Sequence, residues 1–248
     1  MNLNVGLLSH LYEGAIPPAV FFAVMGGVLL LSYLLGSVNT AIIVSRLLYR
    51  EDIRTKGSGN AGMTNMNRVY GLGAAGLTLL GDLLKAAVSI GLAGLLFGFG
   101  YVSGVSTNNI LYFAALLVAI GHVFPCYYGF KGGKGVLVTA VSALILSPVI
   151  FALLFLIFVL VVWIWRYVSL GSVSVAVLYP IALSGYFKFA TSIVVDGVSY
   201  AGQIDFGIAL ASILLAILIV WCHRGNLQRI GERTESKLTF KKKDRDDK

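Results

Sequence analysis

Residues 135–168 read GVLVTAVSALILSPVIFALLFLIFVLVVWIWRYV, an apolar run whose first charged residue is Arg166. A membrane-spanning helix needs about 20 apolar residues, so this run is long for one span and short for two. Ser147-Pro148 lies near its middle, where a proline ends or kinks a helix. The number of helices in this run sets the topology of the whole chain.

The composition is that of a polytopic membrane protein. Of the 248 residues, 58% are hydrophobic and 12% are charged, and the mean hydropathy is +0.87. A soluble domain of this size cannot hide so much apolar surface. Cys126 and Cys222 match neither a disulfide framework nor a metal-ligand spacing, so we interpret both as packing residues. The carboxylates are too scattered to form a cage, and we expect no metal and no cofactor.

Apolar runs of about 20 residues predict an all-α fold. The predicted helices lie near 19–44, 72–97, 108–127, 135–147, 148–168, 171–190 and 205–222. No basic residue precedes the first run, so we expect no cleaved signal peptide. The sequence predicts a single integral membrane domain over 1–238, followed by a charged, disordered tail over 239–248.

Charge favours seven transmembrane helices. The segment 45–70 carries five Lys or Arg residues, and the tail from His223 carries nine. With seven helices every basic loop lies on one face, whereas a single helix across 135–168 would separate the tail from the first loop. Because basic loops lie in the cytoplasm, the N-terminus is predicted outside and the C-terminus in the cytoplasm. Membrane placement also explains the net charge of +8, and we expect no nucleic-acid partner.

Residues 121–135, GHVFPCYYGFKGGKG, place two lysines among glycines between apolar segments. Lysine is costly near hydrocarbon and glycine weakens helices, so this composition needs a reason. A helix beginning at about Gly135 would point the positive end of its dipole into a loop whose backbone can approach an anion. A phosphate cradle and a solvated turn both remain open for this stretch alone. It is not a Walker A loop, because the G-x-x-x-x-G-K-[ST] spacing is missing.

Three other polar segments fall on the same predicted face. Residues 56–68, KGSGNAGMTNMNR, are dense in neutral donors and end on Arg68, although flexible surface loops have a similar composition. The turn Arg166–Ser172 offers two hydroxyls and is equally suited to be a helix N-cap. His223–Asn226 follows the last helix, where a histidine is either interfacial or functional. Together the segments suit two phosphate groups rather than one.

Asp82 and Lys85 lie three residues apart within the second predicted span. That spacing places them on one helix face. An intramembrane pair of opposite charge is either part of a functional site or a lock for the bundle, and the sequence leaves both open.

These motifs closely resemble those of the bacterial acyl-phosphate-dependent glycerol-3-phosphate acyltransferases. The resemblance covers the chain from the first helix to about Lys237 and rests on Gly57–Asn60, Thr64-Asn65, Arg68, Gly121-His122, Phe124-Pro125, Phe130–Val136, His223-Arg224 and Asn226, with Asp82–Lys85 and Arg166–Leu170 also matching. It implies transfer of a fatty acyl group from acyl phosphate to the sn-1 hydroxyl of glycerol 3-phosphate, giving lysophosphatidic acid and phosphate. This is the first step of phospholipid synthesis.

The resemblance also implies a location and partners. The protein would be a multi-pass protein of the cell inner membrane, in contact with membrane lipid, with its active site on the cytoplasmic face. Its substrates would be acyl phosphate and glycerol 3-phosphate, and a soluble acyl-phosphate synthase would supply the donor.

The resemblance implies roles for individual residues. Catalytic roles fall to Ser58, Asn60, Arg68, Lys131 and His223, and substrate binding to Thr64, Asn65, Gly132, Gly133, Lys134, Gly135, Ser169, Ser172, Arg224 and Asn226. The Lys131–Gly135 loop is assigned to the acyl-phosphate group, but which lysine binds which phosphate stays open. No histidine begins a His-x-x-x-x-Asp pair. The base is therefore His223 or a substrate phosphate, and we prefer the phosphate.

Two other classes compete with an enzyme. A transporter of a phosphorylated solute explains basic, glycine-broken helices but should show corresponding broken segments in two halves, which the sequence lacks. A protein that only binds lipid head groups explains the charge bias, but not Asn60, Thr64 and the paired lysines.

Overall fold

Helices make up almost all of the computed structural model, which describes residues 17–98, 101–102, 105–190, 193–195, 198–200 and 204–238. The α-helices are α1 (Pro18–Ser37), α2 (Thr40–Tyr49), α3 (Met63–Tyr70), α4 (Leu72–Phe97), α5 (Thr107–Val123), α6 (Val136–Leu146), α7 (Pro148–Trp165), α8 (Val168–Ala190), α9 (Phe206–Cys222) and α10 (Arg224–Gly231). Short 3₁₀ turns lie at Ile53–Thr55 and Cys126–Tyr128, and antiparallel hairpins pair Tyr101–Val102 with Val105–Ser106 and Ile193–Val195 with Val198–Tyr200. The tail predicted at 239–248 lies outside the described residues.

Five helical stretches are long and apolar enough to cross a membrane: Pro18–Tyr49, Leu72–Phe97, Thr107–Tyr128, Pro148–Trp165 and Val168–Lys188. A sixth is added if α9 and α10, which meet at a bend of 51°, form one span. α6 has only 11 residues, a length of about 16 Å, or roughly half the hydrocarbon core. The chain is thus an all-helical multi-pass membrane protein, and its seventh span remains a prediction.

The apolar run 135–168 is divided where the sequence predicted. α6 ends at Leu146 and α7 begins at Pro148, because proline is well suited to the first position of a helix. α8 begins at Val168 rather than at the predicted residue 171. Ser169 therefore lies in the first turn of α8.

The predicted helix at 19–44 differs from the structure. α1 stops at Ser37 and α2 runs from Thr40 to Tyr49, so the helix is broken at Val38-Asn39 and continues beyond residue 44. Asn39 causes the new start, because its side-chain oxygen accepts the Ile42 N–H at 3.1 Å and so caps α2.

α5 is the central helix and packs against α1, α4, α6 and α9. Its crossing with α1 is very close: a Cβ added at Gly36 would overlap the Val118 carbonyl, and one at Gly121 would overlap the Tyr33 carbonyl. Small residues allow such approaches between membrane helices. The Tyr33 hydroxyl also donates to the Phe124 carbonyl at 3.0 Å. This bond fixes against α1 the start of the glycine-rich loop, residues 124–135, which is the second polar loop of the chain.

Candidate active site

The first polar loop, between α2 and α3, is folded around the side chain of Asn65. Its oxygen accepts the Ser58 N–H at 2.9 Å, and its amide donates to the carbonyls of Ile53 at 3.3 Å and Lys56 at 3.0 Å. Asn65 is buried, and a Cβ at Gly57 would overlap its oxygen. The Asn65 amide is therefore occupied within the loop.

Four other predicted residues of this loop have uncommitted side chains. Ser58, Thr64 and Arg68 are exposed and Asn60 is half-buried. Among the described residues, none of these four side chains has a hydrogen-bond or ion-pair partner. They are available to a ligand.

Arg54 joins the first loop to the glycine-rich loop. Its Nη1 donates to the carbonyls of Tyr128 at 2.7 Å and Lys131 at 3.2 Å. Its Nε and Nη2 donate to the two carboxylate oxygens of Asp52 at 3.0 and 2.8 Å. The Arg54 hydrogen bond holds the pKa of Asp52 well below its ordinary value. The sequence analysis used Arg54 only as one of the basic residues that indicate topology. No motif marks it as a bridge to a loop 74 positions further along the chain.

The two central glycines of the second loop are pressed against the end of α5. The Gly132 N–H donates to the Val123 carbonyl and the Gly133 N–H to the His122 carbonyl, each at 3.0 Å. A Cβ at Gly132 would overlap the His122 carbonyl oxygen, and one at Gly133 would overlap His122 Nε2. The two glycines thus allow close packing, and their own N–H groups are already used.

Free backbone donors begin one residue later. Gly135, with φ +76°, precedes α6, as the sequence predicted. In the described part of the chain, no acceptor is found for the backbone N–H groups of Lys134, Gly135, Val136 or Leu137. These N–H groups lie at the positive end of the helix dipole, which is a ready site for an anion. The Lys131 side chain is exposed nearby and has no partner among the described residues.

The Lys134 side chain belongs to a hydrogen-bonded group of residues, the Lys134 cluster, whose other members are Asn226, Glu235, Ser169 and Arg229. Its ammonium donates to Asn226 Oδ1, and Asn226 Nδ2 donates to Glu235 Oε1 at 2.6 Å. Glu235 also accepts from Ser169 Oγ at 3.2 Å and from Arg229 Nε at 2.7 Å. The cluster draws the start of α6, the start of α8 and the segment after α10 together.

Burial and hydrogen bonds shift the pKa values of this cluster. Burial lowers the pKa of the Lys134 ammonium. Burial alone would raise the pKa of Glu235, but the hydrogen bonds from Asn226 and Arg229 outweigh it and leave that pKa below its ordinary value. Glu235 therefore stays ionised near neutral pH and holds its donors.

His223 lies at the bend between α9 and α10. It is buried, and its Nδ1 contacts the Ile219 carbonyl at 2.7 Å. Since a carbonyl can only accept, Nδ1 carries the proton and Nε2 has a free lone pair. The His223 carbonyl accepts the Asn226 N–H at 2.9 Å, which connects the histidine to the Lys134 cluster.

Two predicted residues, Arg224 and Ser172, have side chains that contact neither the polar loops nor the Lys134 cluster in the described part of the chain. Arg224 is exposed, donates to the Trp221 carbonyl at 3.0 Å and lies 4.2 Å from the centre of the Trp221 ring. Ser172 is buried and donates to the Val168 carbonyl of its own helix at 2.9 Å. Both side chains are engaged locally.

Sequence reasoning missed Glu235 and Arg229, which connect the last segment to the site. That segment is held further by the Leu238 N–H, which donates to the Arg166 carbonyl at 2.7 Å, and by Lys237 over the Tyr167 ring. A Glu and an Arg in a highly charged tail carry no signal that separates them from solvated neighbours.

The fold and the clusters define a class: a multi-pass membrane protein with a cationic, donor-rich site where α2, α5 and α9 end. Comparison with known proteins gives the family. Residues 26–233 match the glycerol-3-phosphate acyltransferase family, and the chain belongs to that family. The family predicted from the motifs is confirmed.

Curated relatives cover nearly the same length. The chain is 39% identical over 215 residues to the glycerol-3-phosphate acyltransferase of Syntrophomonas wolfei, covering 86% of this chain and 96% of the relative. It is 39% identical over 210 residues to the Coxiella burnetii protein of the same name, covering 85% and 96%. The Chlorobium luteolum protein of that name is 33% identical over 227 residues, covering 87% and 97%.

Two solved structures have the same fold. One is the crystal structure of PlsY, an integral membrane glycerol 3-phosphate acyltransferase, in its glycerol 3-phosphate form. It superimposes with a TM-score of 0.70 at 28% identity, covering 87% of this chain and 96% of that chain. The lysophosphatidic acid form gives a TM-score of 0.69 at 27% identity, covering 87% and 95%.

Proposed function

We propose that the protein transfers a fatty acyl group from acyl phosphate to the sn-1 hydroxyl of glycerol 3-phosphate, releasing lysophosphatidic acid and phosphate. The observation that carries the proposal is the presence of two adjoining sets of phosphate-binding groups: the free N-terminus of α6 with Lys131, and the Lys134–Asn226 pair. The related PlsY structures hold glycerol 3-phosphate and lysophosphatidic acid, which are the acceptor and the product of this reaction.

The acyl-phosphate group fits the first set. The N–H groups of Lys134 to Leu137 have no acceptor in the described chain, and Lys131 adds an exposed positive charge at the loop surface. A phosphate dianion at a helix N-terminus is stabilised by both the donors and the dipole. We assign this set to the acyl donor, whose phosphate becomes the leaving group.

The phosphate of glycerol 3-phosphate fits the second set. The Lys134 ammonium donates one N–H to Asn226 and has two more for the phosphate. Asn226 and Ser169 donate to the Glu235 carboxylate and hold this ammonium in place, and His223 lies beside them. Ser58, Asn60, Thr64 and Arg68 have the free donors that would orient both substrates between the sets. Asn65 would act indirectly, by holding the backbone of Ser58. Arg224 and Ser172, being engaged elsewhere, would contribute least.

The reaction is a direct acyl transfer. The glycerol hydroxyl oxygen attacks the acyl carbonyl carbon, a C–O bond forms, and the bond from that carbon to the phosphate oxygen breaks. Preorganised donors stabilise the developing oxyanion, and positioning of two bound phosphates supplies much of the rate. The hydroxyl proton passes to a substrate phosphate. Glu235 is a poor base for this step, because its carboxylate is held by three donors. His223 Nε2 is the alternative acceptor.

We place the site on the cytoplasmic face of the inner membrane, with seven crossings, the N-terminus outside and the C-terminus in the cytoplasm. In this topology the chain reverses at Ser147 and α7 returns to the face from which α6 started, and the packing of α6 against α7 supports it. The contact of Lys134 with Asn226 and the contact of Arg166 with Leu238 support this path. A soluble enzyme would deliver acyl phosphate to this face, and the acyl chain would lie in membrane lipid.

A donor comparison tests the proposal. Purified protein in detergent receives glycerol 3-phosphate and either palmitoyl phosphate or palmitoyl-CoA, with EDTA present, and lysophosphatidate and phosphate are followed together. Equimolar release from palmitoyl phosphate supports the proposal. Product from palmitoyl-CoA alone would overturn the assigned donor.

A further inference from the structure

A buried ion pair and a histidine lie at the junction of the two polar loops. Lys85 Nζ of α4 is 2.8 Å from Asp82 Oδ1 and 2.8 Å from His122 Nδ1 of α5. The three residues are only 2–6% exposed. Burying charges in a membrane helix is costly, and replacing such a pair by apolar residues often costs no stability. The attraction between Asp82 and Lys85 is therefore a weak explanation for the pair, and the other contacts of Lys85 matter more.

Lys85 also binds the break between α1 and α2. Its Nζ lies 3.3 Å from the Gly36 carbonyl and 3.1 Å from the Val38 carbonyl. A break in a membrane helix frees carbonyls that must find donors inside the protein. Lys85 provides them, which fixes the position of the broken segment relative to α4 and α5.

The broken segment holds the first polar loop. Asn39, fully buried at the start of α2, donates from Nδ2 to the Ala61 carbonyl at 3.3 Å. Ala61 is itself fully buried and stands next to Asn60, one of the side chains free to bind substrate. The path from Lys85 through Val38-Asn39 thus ends in the first loop.

His122 holds the second polar loop. Its carbonyl accepts the Gly133 N–H at 3.0 Å, and its Nε2 lies so close to the Gly133 Cα that a Cβ would not fit. The same Cβ would be 2.8 Å from the Ala61 carbonyl oxygen, so the two loops meet at this point. Because an ammonium can only donate, His122 Nδ1 is the acceptor for Lys85.

We propose that Lys85 is a positioning residue for the acyl transfer: through Asn39 and His122 it sets the separation of Ala61 and Gly133. It thereby sets the distance between the donors of the first polar loop, which begin next to Ala61 at Asn60, and the phosphate-binding groups that begin at Lys134. The inference rests on the proposed function, since this separation matters only if both polar loops contact substrate. Lys85 itself touches neither substrate.

The test is the double variant Asp82→Leu, Lys85→Met, which removes both charges together and leaves no unpaired ion. It also removes the donor of the Gly36 and Val38 carbonyls, so we expect a folded protein with a lower thermal midpoint in detergent. We expect kcat/KM to fall by about a hundredfold, since a misplacement near 1 Å has that effect. The control is Thr78→Val on the same helix, because Thr78 is fully buried and, among the described residues, its hydroxyl bonds only to the Ala74 carbonyl of α4; it should retain turnover.

A second variant tests the proposal if the double variant fails to fold. Asn39→Ser keeps a side-chain oxygen that caps α2 but cannot reach the Ala61 carbonyl. We expect the thermal midpoint to hold and kcat/KM to fall. Unchanged kcat/KM in the folded variants would show that the pair only locks the bundle, and would overturn the proposal.

Hydrogen–deuterium exchange separates this inference from the proposed function. In the double variant we expect faster exchange in peptides covering 57–68 and 129–138, with α8 unchanged. If the unmodified protein transfers no acyl group, the proposed function fails, while the exchange data still decide whether Lys85 orders the loops. Unchanged exchange in both peptides would overturn the positioning role.

Discussion

The ammonium group of Lys134 donates to the side-chain oxygen of Asn226, 92 residues further along the chain. The other end of that amide donates to Glu235 at 2.6 Å, so its orientation is fixed from both sides. One amide thus connects the start of α6 to the segment after α10, and the glycerol 3-phosphate site that we propose depends on this connection.

Asn226→Asp should break the contact with Glu235. The new carboxylate would still attract Lys134 but would repel Glu235, which accepts from the Asn226 amide in the unmodified protein. We expect kcat/KM for glycerol 3-phosphate to fall by about a hundredfold. Asn67→Asp is the control, because Asn67 is exposed on α3 and has no role in the site. Full activity of Asn226→Asp would show that the amide orientation does not matter.

The pKa of Glu235 predicts a pH dependence. Because this pKa is lowered in the folded protein, its contribution to stability is complete above the ordinary value of about 4.3 and is lost as the pH falls through the lowered value. Glu235→Gln removes the titrating group. We expect the thermal midpoint of the unmodified protein to approach that of the variant as the pH falls below this range. A constant gap between them would contradict the role given to Glu235.

Arg54→Lys should loosen the contact between the two polar loops. Lysine cannot grip Asp52 and also reach the carbonyls of Tyr128 and Lys131, as the guanidinium does. Lost hydrogen bonds to charged groups cost about 1.5–3 kcal/mol, which thermal unfolding can measure. Arg46→Lys is the matched control: Arg46 pairs with Asp52 but has a 51% exposed side chain, and such pairs contribute under about 1 kcal/mol. Equal effects would show that Arg54 does not bridge the loops.

Gly133→Ala should be far more harmful than an alanine elsewhere on the same face. Its Cβ would overlap His122 Nε2 and crowd the Ala61 carbonyl, and overpacking of this kind costs about 1–3 kcal/mol. We expect loss of turnover together with a lower thermal midpoint. Gly225→Ala, whose Cβ would meet Arg229 Nη1 at an ordinary contact distance of 3.6 Å, should remain active. An active Gly133→Ala enzyme would mean that the loop does not need this approach.

The sequence predicted the helices well because hydrophobic length is a local property. The helix at 72–97 has the predicted bounds, and Ser147-Pro148 divides the longest apolar run. The break at Val38-Asn39 was not predicted, since it is stabilised by Lys85, nearly 50 residues away. Hydropathy alone left the number of spans open, because the 11 residues of α6 are too few to decide, and the prediction of seven came from the charge of the loops.

The candidate site was predictable where residues are concentrated in motifs. Ser58, Asn60, Arg68, Lys131 and Lys134 lie in two short segments whose composition demands an explanation, and all of these side chains except Lys134 have no partner in the described part of the chain. Arg54 was missed because the carbonyls that it binds, those of Tyr128 and Lys131, lie far along the chain. Glu235 was missed because a carboxylate in a highly charged tail resembles its solvated neighbours. Motif composition likewise could not show that Asn65 serves the loop itself.

The most direct test is acyl transfer by the purified protein in detergent, with palmitoyl phosphate, glycerol 3-phosphate and EDTA, comparing Lys131→Ala, Lys134→Ala and Arg68→Ala with the unmodified enzyme. Lys56→Ala is the control, because its ammonium pairs with Glu51 at the surface. We predict stoichiometric lysophosphatidate and phosphate from the unmodified protein and the control, and a loss of about a hundredfold or more in each of the three variants. No product from a folded protein, or full activity in all three variants, would contradict the account.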